Sequence, residues 1–388
     1  MGAGADSLLI IHGGGPTAVI NASLFGAVDE ARGSSSVGRV LGARFGVAGL
    51  EAGDFIDLGA VPEAQLALLP ATPSSAIGTG RDAVDEAGYD RLARALARNR
   101  VRWVLMNGGN GTMDTCGRLF AACERAGVEV GVIGIPKTMD NDLAVTDHAP
   151  GYGSAARFAA QAVSEVCCDV RGLPIHISVV ELMGRSSGWV AAASSLAADA
   201  GYGPDLIYLP ERAFDEGTFL EDVQRLIDRS GSGVVVASEG LTNAAGDPIV
   251  EPVMTVGRAT YFGDVSAHLA RLIMRELGYK ARAEKPGLVG RASIAYQSEV
   301  DRDEAVLAGR AAVRAALAGE SGKMVGFERT ESTYAVRTTL LPLEQVMLEE
   351  RHVPDEFINE RGNGVTEAFR TWCRPLLGAP LPRLVSFV

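Results

Sequence analysis

Cysteine is scarce in this chain and poorly arranged for chemistry. Cys116, Cys123, Cys167, Cys168 and Cys373 are the only five in 388 residues, an odd number without a CxxC pair. No histidine stands near enough to any of them to suggest a zinc site. Most fall on apolar helical patterns, so buried free thiols are expected, and the adjacent Cys167 and Cys168 are not read as a redox pair. A basic run is also missing, and the net charge is −12, which argues against nucleic acid as a partner. No apolar stretch is long enough to span a membrane, and the opening residues lack the basic region of a signal peptide. A soluble protein of the reducing cytoplasm is expected. No solenoid-length repeat is present.

What is abundant is glycine, at 47 residues, clustered at the ends of apolar runs rather than in repeats. That placement suggests backbone approaching a ligand. Residues 7–11 are apolar and break into His12-Gly13-Gly14-Gly15-Pro16-Thr17 before a helical stretch over 18–31. Strand, glycine loop and helix start form a phosphate-cradling order, although the motif is neither GxGxxG nor a Walker loop. Residues 72–81 end in Gly78-Thr79-Gly80-Arg81. The apolar run 101–106 leads into Asn107-Gly108-Gly109-Asn110-Gly111-Thr112 and a helix over 113–126. The run 128–135 leads into Pro136-Lys137-Thr138-Met139-Asp140-Asn141-Asp142. There an ammonium suited to phosphate stands beside a hydroxyl and carboxylates able to take a proton or hold a metal, which is the equipment of phosphoryl transfer. His12 and His148 read as loop polar groups.

Gly151 to Ser154 reads as a boundary, and a second alternation follows. Residues 177–182 form a buried strand ending in Met183-Gly184-Arg185, and 234–237 another ending in Ser238-Glu239-Gly240. A long Ala-rich helix covers 303–317, then a strand near 334–341 and a short acidic helix over 343–350. Alternating strands and helices predict an α/β protein with doubly wound, mainly parallel sheets, whose ligand loops lie past the strand ends.

Taken together, the motifs Gly14-Gly15-Pro16-Thr17-Ala18-Val19-Ile20-Asn21, Gly108-Gly109-Asn110-Gly111-Thr112, the 136–142 stretch, Val180-Glu181-Leu182-Met183-Gly184-Arg185 and Ser238-Glu239-Gly240 resemble those of the phosphofructokinase family in order and spacing. The resemblance covers about residues 7–320 and is strongest toward the bacterial pyrophosphate-using branch. It implies two Rossmann-like lobes with a cleft between them: residues 1–150 with about 290–388 as donor-binding lobe and tail, and 151–289 as sugar-phosphate lobe. It implies phosphoryl transfer from ATP or pyrophosphate to the 1-hydroxyl of fructose 6-phosphate or a close analogue, with Mg²⁺ as cofactor. Asp140 would be the general base, with Thr138, Lys137, Asp142 and Arg185 around the reacting centre. Gly14, Gly15, Arg81, Gly109, Asn110, Gly111 and Thr112 would hold the donor. Thr138, Asp140, Asp142, His176, Met183, Gly184, Arg185, Glu239, Arg282 and Arg291 would hold the acceptor. The family counterpart of Arg282 crosses from a neighbouring subunit, which implies a homodimer or homotetramer.

Three departures bear on that reading. Pyrophosphate users of the family carry a bulky acidic residue where Gly111 stands, whereas Lys137 is their choice at its own position. On steric grounds the sequence favours ATP over pyrophosphate. Asn110 replaces a magnesium-holding aspartate, and its amide oxygen is the remaining ligand. Leu288 and Gly290 replace polar residues of the sugar-phosphate pocket, and His176 stands where ATP-using bacterial members have arginine. Each lost charged hydrogen bond is worth about 1.5–3 kcal/mol. Besides the kinase reading, the same chemistry on another acceptor and a non-catalytic sugar-phosphate-binding paralogue stay open.

Overall fold

A computed structural model describes residues 6–256, 259–330, 334–347 and 349–387. In chain order the elements are β1 (Ser7–His12), α1 (Ile20–Arg32), β2 (Arg39–Ala43), α2 (Val47–Ala52), β3 (Phe55–Asp57), α3 (Glu63–Leu66), α4 (Glu86–Arg98), β4 (Val101–Gly108), α5 (Asn110–Ala126), β5 (Gly131–Pro136), α6 (Tyr152–Gly172), β6 (Ile177–Leu182), α7 (Trp189–Ala193), β7 (Leu206–Tyr208), α8 (Glu216–Ser230), β8 (Gly233–Ser238), β9 (Pro252–Val256), β10 (Ala259–Phe262), α9 (Val265–Glu276), β11 (Ala281–Glu284), α10 (Leu288–Ala292), α11 (Glu299–Leu317), β12 (Lys323–Arg329), β13 (Val336–Pro342) and α12 (Glu367–Cys373). They fall into two compact units, 1–152 with 299–351, and 153–298 with 352–388.

The first unit is built on a sheet ordered β13-β12-β5-β4-β1-β2-β3, parallel except at its two outermost pairs. Its strands are apolar on both faces because both faces are covered. Alternate residues of β1 show this: Leu9 and Ile11 join the core under α4 and α5, while Leu8 and Ile10 join the core under α1 and α11. Asp85 caps α4, accepting from the Gly88 amide at 2.7 Å. Gly127, at φ 63°, ends α5 in a left-handed cap. The chain winds one way from β1 to β2 and the other way to β4. That reversal opens a crevice outside the carboxyl ends of β1 and β4, where the glycine loops lie.

Helices α1 and α11 touch backbone to backbone. A Cβ added at Gly309 would lie 2.1 Å from the Ser23 carbonyl oxygen, and one at Gly26 would lie 2.1 Å from that of Val306. Gly309→Ala must push the helices apart and should lower the unfolding free energy by about 1–3 kcal/mol. Gly172→Ala, where a Cβ meets nothing within 4 Å, should stay within about 0.5 kcal/mol. Urea midpoints at constant slope check both.

The second unit holds a four-stranded parallel sheet, β11-β6-β8-β7, with a separate β9–β10 hairpin. One core joins Ile177, Val179, Val235 and Ala237 to Phe219, Leu226, Leu269 and Ile273 of α8 and α9. The C-terminal residues 352–388 belong here and not with the donor lobe, where the sequence reading grouped them. The reason is aromatic. Trp189 of α7, fully buried, packs against Trp372 at 4.9 Å and Phe369 at 6.3 Å, and Phe357 lies 5.7 Å from Phe369.

Two local expectations are corrected. The boundary expected at Gly151 to Ser154 coincides with the division of the two units after Tyr152, but it is helical rather than a loop, because α6 begins at Tyr152 and runs through it. The acidic helix over 343–350 is replaced by a 3-10 turn, Leu343–Gln345, and Glu350 then bridges Leu143 in antiparallel fashion. Position 348 lies outside the described residues. The Arg351 amide donates to the Asp142 carbonyl at 2.9 Å, so backbone pairing with the acidic loop holds this stretch extended.

Candidate active site

The first unit brings the glycine loops and the acidic loop together. The Gly13 amide donates to Asn107 O, the Gly14 amide to Gly80 O and the Lys137 amide to Gly108 O, at 2.9, 2.9 and 3.0 Å. Three strand-end loops are thereby laced by backbone alone. Two of their glycines leave no room for a side chain: a Cβ at Gly108 would fall 2.1 Å from Thr112 Oγ1, and one at Gly13 2.3 Å from the same atom. The side chain of Asn21, from α1, fixes the loop leading to Arg81. Its amide nitrogen donates to Thr72 O and Ser74 O, and its oxygen accepts from the Ala76 amide. Arg81 itself is exposed.

Lys137 is only 2% exposed. Its ammonium donates to the carbonyls of Gly15 at 2.5 Å and Gly13 at 3.2 Å. The lysine thus grips the glycine loop through two of its carbonyls. Thr138 donates its hydroxyl proton to Asp142 Oδ1 at 2.9 Å and accepts from the Asp140 amide at 3.1 Å. That turn sets the half-buried Asp140. Asn110, at the start of α5, donates to the other Asp142 oxygen at 3.0 Å and to its carbonyl at 3.1 Å. Burial pushes the Asp142 pKa upward, partly offset by the Thr138 and Asn110 hydrogen bonds. Asn141 occupies the left-handed region at φ 53°, its side-chain oxygen accepting from the Ala149 amide.

In the second unit the C-terminal ends of β6 and β8 meet. The Glu239 amide donates to Leu182 O at 3.0 Å, and the Gly184 amide reaches Glu239 Oε1 at 3.4 Å. Gly240 is demanded by contact, since its Cβ would lie 1.6 Å from Arg185 O. Met183, Gly184, exposed Arg185 and Glu239 therefore form one group. His176 and Arg282 do not join it. His176 precedes β6, and Arg282 pairs with Ser178 near the start of that strand. Six strand residues span about 20 Å, so these two stand at the opposite end of the sheet. Burial, then the charges of Arg282 and Lys280, lowers the His176 pKa, which keeps the ring neutral. Arg291 lies on α10, where Gly290 seats against Phe158, a Cβ there lying 3.2 Å from the ring.

The model of the family described as Phosphofructokinase matches residues 7–316. A pyrophosphate–fructose 6-phosphate 1-phosphotransferase of Xanthomonas campestris is 38% identical over 97% of this chain and 92% of its own length. A sulfofructose kinase of Alkalicoccus urumqiensis is 34% identical over 95% of this chain and 94% of its own. The crystal structure of a pyrophosphate-dependent phosphofructokinase from Nitrosospira multiformis superposes with a TM-score of 0.88, at 31% identity, over 99% of this chain and 94% of that one.

The chain belongs to the phosphofructokinase family.

Its full-length similarity to pyrophosphate-dependent members overturns the preference for ATP drawn from Gly111. The physical error is plain. A Cβ at Gly111 would meet nothing within 4 Å, so the missing side chain reflects open space. Space permits an adenosine but supplies no contact that would recognise one.

This phosphofructokinase scaffold also fits a divalent cation at one point. Asn110 Oδ1 is buried without a hydrogen-bond partner. It lies in the same side chain that contacts Asp142. A shielded acceptor of this kind costs about 1–3 kcal/mol, which a cation would relieve. Among the described residues no group of three or more His, Cys, Asp or Glu forms a metal cage, so most ligands would come from elsewhere.

His12, read from the sequence as a loop polar group, is the last residue of β1. His12 is fully buried, with Nδ1 2.8 Å from Ser75 Oγ. Ser75 gives its own proton to Gly78 O, so His12 must carry hydrogen on Nδ1. Burial, then the Lys137 charge, drives its pKa down to about 3. A buried neutral histidine holding a ligand loop has no sequence signature beyond its place after an apolar run.

Proposed function

We propose that this chain transfers a phosphoryl group from inorganic pyrophosphate to the 1-hydroxyl of fructose 6-phosphate. The observation that carries this is the Thr138–Asp142–Asn110 hydrogen-bonded turn that presents Asp140 beside the Lys137-braced glycine loops. The Asp140 carboxylate takes the proton as the 1-oxygen bonds to phosphorus, and the bridging P–O bond breaks to release orthophosphate. Gly14, Gly15, Gly109 and Thr112 approach the donor through backbone, with the exposed Arg81 as its cation. Mg²⁺, held in part by Asn110 Oδ1, would neutralise charge on the donor. The first unit is thus the donor unit, and the second binds the sugar through Met183, Gly184, Arg185, Glu239 and Arg291.

His176 and Arg282 serve the 6-substituent of a sugar bound to another copy, since they stand at the far end of their own sheet. The reading therefore requires a homo-oligomer. Five free cysteines suit the cytoplasm.

The test is fructose 1,6-bisphosphate formation with each donor. A kcat/KM at least about a hundredfold higher with pyrophosphate than with ATP is expected; equal values would end the donor assignment. One observation favours a second acceptor. With His176 neutral and Leu288 exposed, neither adds a hydrogen-bonding cation to Arg282 and Arg291, and a singly charged sulfonated fructose needs no more than these two. A kcat/KM for that sugar above the value for fructose 6-phosphate would establish it.

A further inference from the structure

The acidic loop has no helix or strand of its own between the end of β5 and the start of α6. Something must hold it, because Thr138, Asp140 and Asp142 depend on its shape. Its two limbs pair at the base: the Thr138 amide donates to Pro150 O at 3.0 Å, and Thr138 bridges Gly151. The far limb is anchored from outside. Gly151 N donates to Asp301 Oδ1 at 2.8 Å, Asp147 N to Phe327 O at 3.0 Å, and Phe327 N to Thr146 Oγ1 at 2.8 Å.

At the centre of that limb sits His148, 1% exposed. Its Nδ1 lies 2.8 Å from Asp147 Oδ2 and its Nε2 2.7 Å from Glu304 Oε2 on α11. The ring stacks on Phe327 of β12, centroids 5.3 Å apart. Glu304 also accepts from the Tyr334 hydroxyl at 2.7 Å, and Asp147 from Arg329 Nε at 2.7 Å. Arg351 donates to the carbonyls of Thr146 and Asp147. Both neighbours of the ring are thus carboxylates already used as acceptors, so both ring nitrogens must donate.

We infer that His148 is an imidazolium clamped between Asp147 and Glu304, and that this clamp is a positioning device for the loop bearing Thr138 and Asp140. It acts through the limb it pins: the Ala149 amide next to it holds Asn141, and Pro150 holds Thr138. Burial alone would lower the His148 pKa, but the two carboxylates more than offset it, so the shift is upward. The clamp is therefore present below the ordinary histidine pKa and is lost as pH rises through the raised one. Asp147, Glu304, Tyr334, Arg329 and Arg351 are the titratable groups facing the ring.

The catalytic consequence rests on the phosphotransferase reading; the clamp itself does not. Glu304→Gln keeps the volume and removes one charge. With pyrophosphate and fructose 6-phosphate, kcat at pH 8.5 should fall about tenfold, kcat at pH 6 less than threefold, and KM values less than twofold. The alkaline limb should move down by about one pH unit. An unchanged pH profile in Glu304→Gln overturns the positioning role.

Two readouts need no substrate. In protein labelled with ¹⁵N-histidine, one ring of the five, assigned by its loss in His148→Gln, should keep both nitrogens protonated to a higher pH in wild type than in Glu304→Gln. Backbone hydrogen exchange across 137–151 should quicken several-fold in Glu304→Gln. A neutral His148 ring, or unchanged exchange, overturns the clamp whatever the enzyme's substrates are. Wild-type protein inactive on both donors, with the ring charged and exchange quickened, would sink the functional reading alone.

Discussion

Replacing Asp140 by Asn should cut kcat by about 10²–10⁴-fold, the range a positioned base contributes, with little change in binding of pyrophosphate. The substitution is nearly isosteric. The turn that presents the residue uses its backbone amide, which donates to Thr138 Oγ1 at 3.1 Å, and Asn retains that amide. What disappears is the carboxylate proposed to accept a proton from the sugar hydroxyl as the new bond to phosphorus forms. The expected signature is a loss in kcat at all accessible pH values, with an unchanged Kd for pyrophosphate by calorimetry and unchanged thermal stability. Equal turnover by Asp140→Asn would remove Asp140 as the base. Asp142→Asn is the informative companion. Asp142 accepts from Thr138 and Asn110 on its two oxygens, so an amide there leaves one of them facing an N–H. That change should disturb the turn and lower stability along with rate, which separates shaping the site from proton transfer.

The layered fold was legible because its strands are covered on both faces. Runs such as residues 132–135 and 234–237 are almost wholly apolar, and the helices between them show a clear apolar side. The acidic loop was legible from composition, since Lys137, Thr138, Asp140 and Asp142 crowd into one stretch. The tail was misplaced because Phe357, Phe369 and Trp372 have neither strand alternation nor a long helical period. Only contact with Trp189 explains them. That His176 and Arg282 stand far from Arg185 follows from which strand ends they occupy, a matter of register that spacing does not carry. The donor was misread because an absent side chain was treated as a recognition element. His12 and His148 were passed over because burial, which gives both their character, arises from segments far away in sequence.

Lys137→Met should cost both stability and donor use, and for one reason. The ammonium is buried, and two of its donors end on Gly13 O and Gly15 O. Methionine fills much of the same volume but leaves two shielded carbonyls without partners. At about 1–3 kcal/mol for each, the unfolding free energy should drop by about 2–6 kcal/mol. The Gly13 to Gly15 turn would then relax toward water, and with it the amides proposed to face the donor. A fall of about 10²–10³ in kcat/KM for pyrophosphate is expected, larger than the fall for the sugar. The substitution also removes a charge that, after burial, holds His12 neutral. Lys137→Arg separates charge from geometry. A guanidinium is as cationic but planar and broader, and it must reach carbonyls now met at 2.5 and 3.2 Å by a compact ammonium. If the lysine acts by bracing the loop, Arg should recover less than about a tenth of the lost kcat/KM. If it acts only as a positive charge on the donor, Arg should recover most of the rate while the stability loss persists. The two variants, measured together by urea unfolding and by turnover, decide between brace and charge.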